Sequence, residues 1–360
     1  MTPTRIARYR LINQRIALSK CKAPADVVTA LVAMQAQDYL GALWAIGLRL
    51  PDATETLIEQ ALADRAIVRT WPMRGTLHFV AAADVRWLLD LLTPRVIAAS
   101  TRRHAQLELD GPVLARSRKL FSRALQGGQH LTRDAMMKLL DRAGISTAGQ
   151  RGYHILGRLA LEGLICFGPR SGKAQTFTLL DEWLPHAKKL DRDAALAELA
   201  RRYFTGHGPA TLQDFVWWTG LKVSDAKLAL DSAKSKLSQQ IAGGVAYWMA
   251  RDVPAVPDSA RKVYWLPGFD EYLVGYKDRS AVLNLRHAKK VIPGSNGMFL
   301  STLVMGGQVA GIWNRVLTRD AVVMTARPFA KLSKTAQRAA TAAAERYGKF
   351  VGLPVELHGL

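Results

Sequence analysis

Between residues 1 and 253 the chain runs three times through one order of elements: helix, helix, helix, then two short strands joined by a turn. In the first copy, an N-terminal helix carrying Ile6, Tyr9, Ile12 and Ile16 on one face is followed by helical stretches at 26–34 and 55–64. Strands follow around 66–70 and 76–80. The second copy has helices at 114–125, 133–143 and 148–162. Thr132 is suited to cap the middle one and Gly163 to stop the last. Its strands, 164–167 and 176–180, flank the basic turn Gly168-Pro169-Arg170-Ser171-Gly172-Lys173. The third has a helix at 193–204, a helix at 212–219 behind Thr211, and a helix at 225–236 behind Ser224. Strands at 237–241 and 245–249 join through Gly243-Gly244. Three short helices and a hairpin share a core in few ways. The layout is that of a winged helix-turn-helix, whose third helix and hairpin can both address a duplex.

After Pro254 the texture changes to strands at 263–266, 281–283, 298–305, 308–313 and 322–328, then an amphipathic helix at 332–347. The expected fold class is α+β: three tandem winged helix-turn-helix domains (1–95, 96–190, 191–253), then a β-barrel-like element with a terminal helix (254–360).

Charge says what such a protein faces. Fifty Lys and Arg against 29 Asp and Glu leave a formal net charge of +21, spread along the chain. A folded basic surface seeks a polyanion, nucleic acid before membrane. No apolar run approaches the ~18–20 residues of a membrane span. The first 17 residues lack the apolar core and cleavage site of a secretory signal. Cys21 and Cys166 offer neither a disulfide framework nor metal-site spacing. A reducing, cytoplasmic setting is expected, with a monomer that acts on double-stranded DNA and needs no metal or cofactor. Phosphate loops, dinucleotide fingerprints and nucleophile elbows are missing from the sequence.

Two features carry possible chemistry. Gln35-Ala36-Gln37 ends the first apolar helix. If the chain extends there, the two amides point the same way and can hold one water between donor and acceptor groups. A neutral amide is a poor base, so the chemistry would need a leaving group that departs almost unaided. A cationic N-alkylated purine is one. Asp38 adds a carboxylate beside them. The plainer reading is a helix end with polar residues facing water.

The second feature is the hairpin Arg69-Thr70-Trp71-Pro72-Met73-Arg74-Gly75-Thr76-Leu77-His78. Arg69 and Arg74 can clamp phosphates, Trp71 and Met73 can wedge beside a lesion, and His78 can donate to a phosphate or sugar. Equally, Trp71 can be an ordinary core residue. Residues 95–173 hold fourteen Lys or Arg against five acids. Among them, Arg151 and Arg158 on the third helix and Arg170 and Lys173 on the wing are candidate phosphate contacts, or else parts of solvated faces. Asp270 and Glu271, read as neighbours on a strand, would face opposite ways and join Lys277 or Arg279 in salt bridges. The remaining histidines, His207 among them, read as satisfied surface residues.

The Gln-x-Gln triplet, Trp71-Pro72-Met73-Arg74-Gly75-Thr76-Leu77-His78, the stretch from Phe269 to Arg279, and Gly311-Ile312-Trp313-Asn314-Arg315 occur in an order that resembles the AlkZ-like winged-helix DNA glycosylases. That resemblance implies three winged helices in a C shape around DNA and a C-terminal β-barrel element. It also implies removal of N7-alkylated purines and, in some members, unhooking of interstrand crosslinks. The glutamine motif is catalytic in the family, which points to Gln35 and Gln37. A sister branch has aspartate at the third motif position. Here that position is Gln37, so Asp38 is a secondary candidate. The implied mechanism is monofunctional, with water as nucleophile and an abasic site as product. The competing reading is a non-enzymatic winged-helix DNA binder such as a transcriptional regulator, since that fold more often binds DNA than cuts it.

Overall fold

Trp44, on the helix Tyr39–Gly47, donates its indole N–H to the Trp265 carbonyl at 2.7 Å. Its ring meets Tyr347 and Phe350, each at 5.1 Å between centroids. That contact ties the N-terminal segment to the C-terminal sheet, across more than 200 residues of chain. The computed structural model describes residues 1–256, 262–294 and 297–360. The described chain forms two compact units: Met1–Glu59 with Ala197–Trp218 and Lys222–Leu360, and Gln60–Leu196 with Thr219–Leu221.

In the first unit the strands order as Val355–His358, Val322–Pro328, Gln308–Leu317, Thr302–Met305 and Val263–Leu266. All neighbours are antiparallel except the first pair, which is parallel. A register shift at Leu303/Val304 bends the sheet. It curls into a half-barrel whose edge strands stay unpaired with each other, so the barrel expected for 254–360 is not closed. Residues 257–261 and 295–296 of that region lie outside the described part. Residues 281–283 form turns, not a strand. The helix Lys334–Val351 starts where Ser333 accepts the Ala336 N–H at 3.2 Å, and ends at Gly352 in the left-handed region. It buries Ala340, Ala344, Tyr347 and Phe350 against the sheet, and the Trp265 indole donates to the Ala340 carbonyl at 2.9 Å.

Most of the third repeat falls in this unit. Its helices are Arg192–His207, Leu212–Thr219 and Val223–Ala233, followed by the hairpin Leu237–Ala242/Val245–Ala250. Thr211 caps as expected: its hydroxyl accepts the Asp214 N–H, and Asp214 returns to the Thr211 N–H. Ser224 does not cap. The helix begins two residues earlier, at Val223 behind Lys222, with no side-chain cap.

The second unit holds the middle repeat: Gly111–Leu125, Arg133–Arg142, Arg151–Leu161 and a three-stranded antiparallel sheet. Thr132 accepts the Ala135 N–H at 3.3 Å, and Gly163 stops the third helix with a φ of 70°. Phe121, Leu125, Met136, Leu140, Ile155, Leu159 and Phe177 form its core. Residues 1–95 divide, because the apolar face of 39–47 finds its cover near the C-terminus while the hairpin Ile67–Met73/Thr76–Ala81 joins the middle repeat. A local periodicity shows that a face is apolar and not what will cover it.

Candidate active site

The helix preceding the glutamines spans Pro24–Leu31, shorter than the expected 26–34. It stops because Val32 takes φ 68° and ψ −55°, a conformation close to the rare γ-turn and unusual for a β-branched residue. Val32 is fully buried, so packing holds it there at a cost of about 1–3 kcal/mol. The turn throws the chain into the strand Ala33–Gln35. Gln35 therefore closes an extended segment, with Gln37 two residues beyond it, and neither is at a helix end. Ala36 is fully buried, Gln35 half-buried and Gln37 exposed. The strand ends at Gln35, and Gln37 sits in the bend that follows.

Gln37 and Asp38 line a cleft of about 640 Å³. Phe269, Met298, Phe299 and Trp313 supply its apolar wall, and Asn314 and Arg315 its polar rim. Phe269 is itself left-handed, at φ 59°. Asp38 is committed to structure: Oδ1 accepts the Gly41 N–H at 3.1 Å and caps the helix Tyr39–Gly47. Its Oδ2 lies 3.6 Å from Arg315 Nη2. Gly41 is what lets this cap close, since a Cβ there would sit 2.4 Å from Asp38 Oδ2. Nearby, burial pushes the Tyr347 phenol up to about 12, so its hydroxyl keeps its proton at neutral pH.

Behind the glutamines runs a buried polar network. Asp270 and Glu271 open a short helix, Glu271–Val274, and do not lie on a strand. Their partners come from distant parts of the chain. Asp270 caps through the Tyr272 N–H and takes both terminal nitrogens of Arg49. Arg49 also reaches the Gln14 carbonyl and amide oxygen, and Gln14 Nε2 donates to the Glu271 carbonyl and the Tyr276 hydroxyl. The Tyr276 phenol is shifted upward by burial and donates to the His207 carbonyl at 2.6 Å. Glu271, 1% exposed, accepts the Gln35 backbone N–H on Oε1 at 3.1 Å. Its Oε2 accepts from Trp218 Nε1 at 2.8 Å and His207 Nε2 at 3.1 Å. His207 is thus a core residue, not a surface one. Sequence reasoning missed Arg49, Gln14, His207 and Trp218 because their partners are distant in sequence. The one available signal was chemical: Arg49 follows the apolar helix Tyr39–Gly47 and stands between Leu48 and Leu50.

In the second unit the hairpin closes on Arg74 and Gly75, both left-handed, at φ 54° and 70°. Two consecutive positive φ values are what a two-residue turn matching the strand twist needs. Arg74 is half-buried and its Nη2 lies 3.4 Å from His78 Nε2. The other hairpin candidates are buried. Trp71 packs on Phe167 at 5.1 Å and Tyr153 at 6.5 Å, Arg69 stacks on Phe167, and Met73 and His78 are 1% and 0% exposed. The register shift between Thr70 and Met73 turns Trp71 into that core. Arg158 pairs with Glu162, which also takes Arg118. Arg151 donates to the Ser146 carbonyl and the Leu107 carbonyl. Arg170 is half-buried and Lys173 exposed on the wing.

No group of three or more His, Cys, Asp or Glu able to hold a metal occurs among the described residues. No described helix is long and apolar enough to cross a membrane.

Residues 28–350 match the family described as DNA glycosylase AlkZ-like. The chain is 25% identical over 336 residues to an interstrand DNA cross-link repair glycosylase of Streptomyces sahachiroi, covering 86% of each protein. Its fold is similar to the solved structure of Streptomyces sahachiroi DNA glycosylase AlkZ, with a TM-score of 0.80 over 99% of both chains at 22% identity. With the half-barrel, the terminal helix and the glutamine segment in place, the chain belongs to the AlkZ-like DNA glycosylase family.

Proposed function

We propose that this protein is a monofunctional DNA glycosylase that hydrolyses the N-glycosidic bond of N7-alkylated purines. The observation that carries the reading is the exposed Gln37 lining a cleft, two residues after Gln35, in a chain of this family. N7-alkylation makes the purine a cation. When the C1′–N9 bond breaks, its electron pair goes to the base, which leaves neutral. Gln35 and Gln37 hold water near C1′, the water oxygen bonds to that carbon, and its proton passes to solvent. The role of the amides is orientation, since they are too weakly basic to deprotonate water. A base that leaves readily needs no stronger catalyst. The relative that acts on interstrand crosslinks supports bulky N7 adducts as part of the substrate range.

The helix-and-hairpin repeats serve in this reading as winged helices that hold the duplex. Arg74, Arg151, Arg158, Arg170 and Lys173 face phosphate, and Arg69, Trp71, Met73 and His78 brace the hairpin from within. The net charge of +21 supplies the non-specific attraction. Release of 7-methylguanine from duplex DNA tests the proposal. Wild type should release it above the buffer rate, and a Gln35→Ala/Gln37→Ala variant should not. Wild-type release at the buffer rate would leave a duplex-binding protein of the regulator kind.

A further inference from the structure

We infer that Glu271 is a positioning residue that sets the Gln35 backbone, and through it the direction of the amide pair. This rests on the glycosylase reading above. Glu271 is 1% exposed and stands outside the cleft lining, so it does not touch substrate. Its carboxylate is shared between two jobs. Oε2 is fixed by Trp218 Nε1 and His207 Nε2, on the helices Leu212–Thr219 and Arg192–His207. Oε1 reaches the Gln35 N–H at 3.1 Å. A carboxylate accepts hydrogen bonds on both oxygens and donates none, so His207 Nε2 must carry its hydrogen.

The place of this anchor gives it leverage. Gln35 is the last residue of a three-residue strand that begins one residue after left-handed Val32. Short segments of this kind hold their direction only where surrounding contacts over-determine them. Val32 fixes the entry by packing, and Glu271 fixes the exit by a charge-assisted hydrogen bond, the stronger type. Beyond it the chain passes to buried Ala36 and then to Gln37 at the cleft. A slip of the Gln35 peptide would therefore swing both amides at once.

Glu271→Gln is the direct test. One acceptor oxygen becomes an NH2 group, which cannot accept from the Gln35, Trp218 or His207 N–H groups facing it. The full-length variant is to be assayed with 7-methylguanine duplex for kcat, KM and undamaged-duplex affinity, together with backbone amide exchange in the peptide containing Gln35. A fall in kcat of about 10- to 100-fold, with KM and DNA affinity within about two-fold, is expected from a misplaced catalytic group. The loss in the double variant Gln35→Ala/Glu271→Gln should be smaller than the two separate losses combined, since removing one amide leaves Glu271 only Gln37 to position. Exchange at Gln35 should accelerate. A Glu271→Gln enzyme with wild-type kcat and unchanged Gln35 exchange would overturn the inference, as would additive losses in the double variant. If Glu271→Gln does not fold, Trp218→Phe removes one of the donors holding Oε2 and keeps the ring. It should show the same kcat loss in milder form, and full activity would count against the anchor. If wild type itself releases no base, the glycosylase reading fails and the catalytic role of Glu271 goes with it. The exchange measurement still decides whether Glu271 holds Gln35.

Discussion

Arg49 grips Asp270 with both terminal nitrogens, Nη1 to Oδ2 and Nη2 to Oδ1, each at 2.8 Å, with neither side chain more than 1% exposed. A paired buried charge is stable only while its partner stays. Asp270→Asn leaves the guanidinium half-satisfied and should lower the unfolding free energy by about 3–5 kcal/mol. The Arg86–Asp181 pair is the control, because Asp181 is 86% exposed. Asp181→Asn should cost no more than about 1 kcal/mol. Denaturant titration of both variants checks the contrast, and equal losses would show that burial does not set the difference.

Asp38 is a helix cap in this structure, although it sits beside Gln37 in the cleft. Asparagine caps as well as aspartate and carries no charge. Asp38→Asn should therefore keep the melting temperature and stay within about three-fold of wild-type base release, whereas Asp38→Ala should lose about 1 kcal/mol of stability. A large drop in release by Asp38→Asn would make the carboxylate itself part of the chemistry.

Arg74 combines a left-handed backbone with a cationic side chain at the hairpin tip. Asparagine tolerates that backbone, so Arg74→Asn removes the charge and keeps the turn. Release of 7-methylguanine should fall by about ten-fold or more, with affinity for undamaged duplex reduced about two- to three-fold, and that affinity should drop steeply with salt for both proteins. Parallel losses in release and affinity would reduce Arg74 to one phosphate contact among many.

Three histidines of the second unit sit below their ordinary value near 6.5. Burial is the main cause for each, aided by Arg158 and His154 at His104, by Arg65 at His130 and by Arg103 at His154. A histidine held below its unfolded value binds fewer protons when folded. Its contribution is then constant above about pH 6.5 and is lost as the pH falls through that value. Melting temperatures from about pH 7.5 down to about 5.5 should decline, and a His104→Gln/His130→Gln/His154→Gln variant should flatten the decline. An equally steep profile in that variant would assign the acid sensitivity to other groups.

Local chemistry alone carried a good part of this protein. Thr132 and Thr211 marked helix starts that the structure keeps, Gly163 marked a stop, and the charge of +21 pointed to a polyanion. These signals act within a few residues or sum over the whole chain, so order in sequence is enough to read them. The Gln-x-Gln spacing made Gln35 and Gln37 candidates, and the resemblance to the AlkZ-like family gave those candidates an expected role. Tertiary packing decided the rest. It buried Trp71 and Met73, curled the C-terminal sheet into a half-barrel, and turned Val32 left-handed so that Gln35 ends a strand and not a helix. It also brought Glu271 to the Gln35 amide from 236 positions away. A buried carboxylate must find donors wherever the fold places them, and no periodicity in the chain encodes which helices those will be.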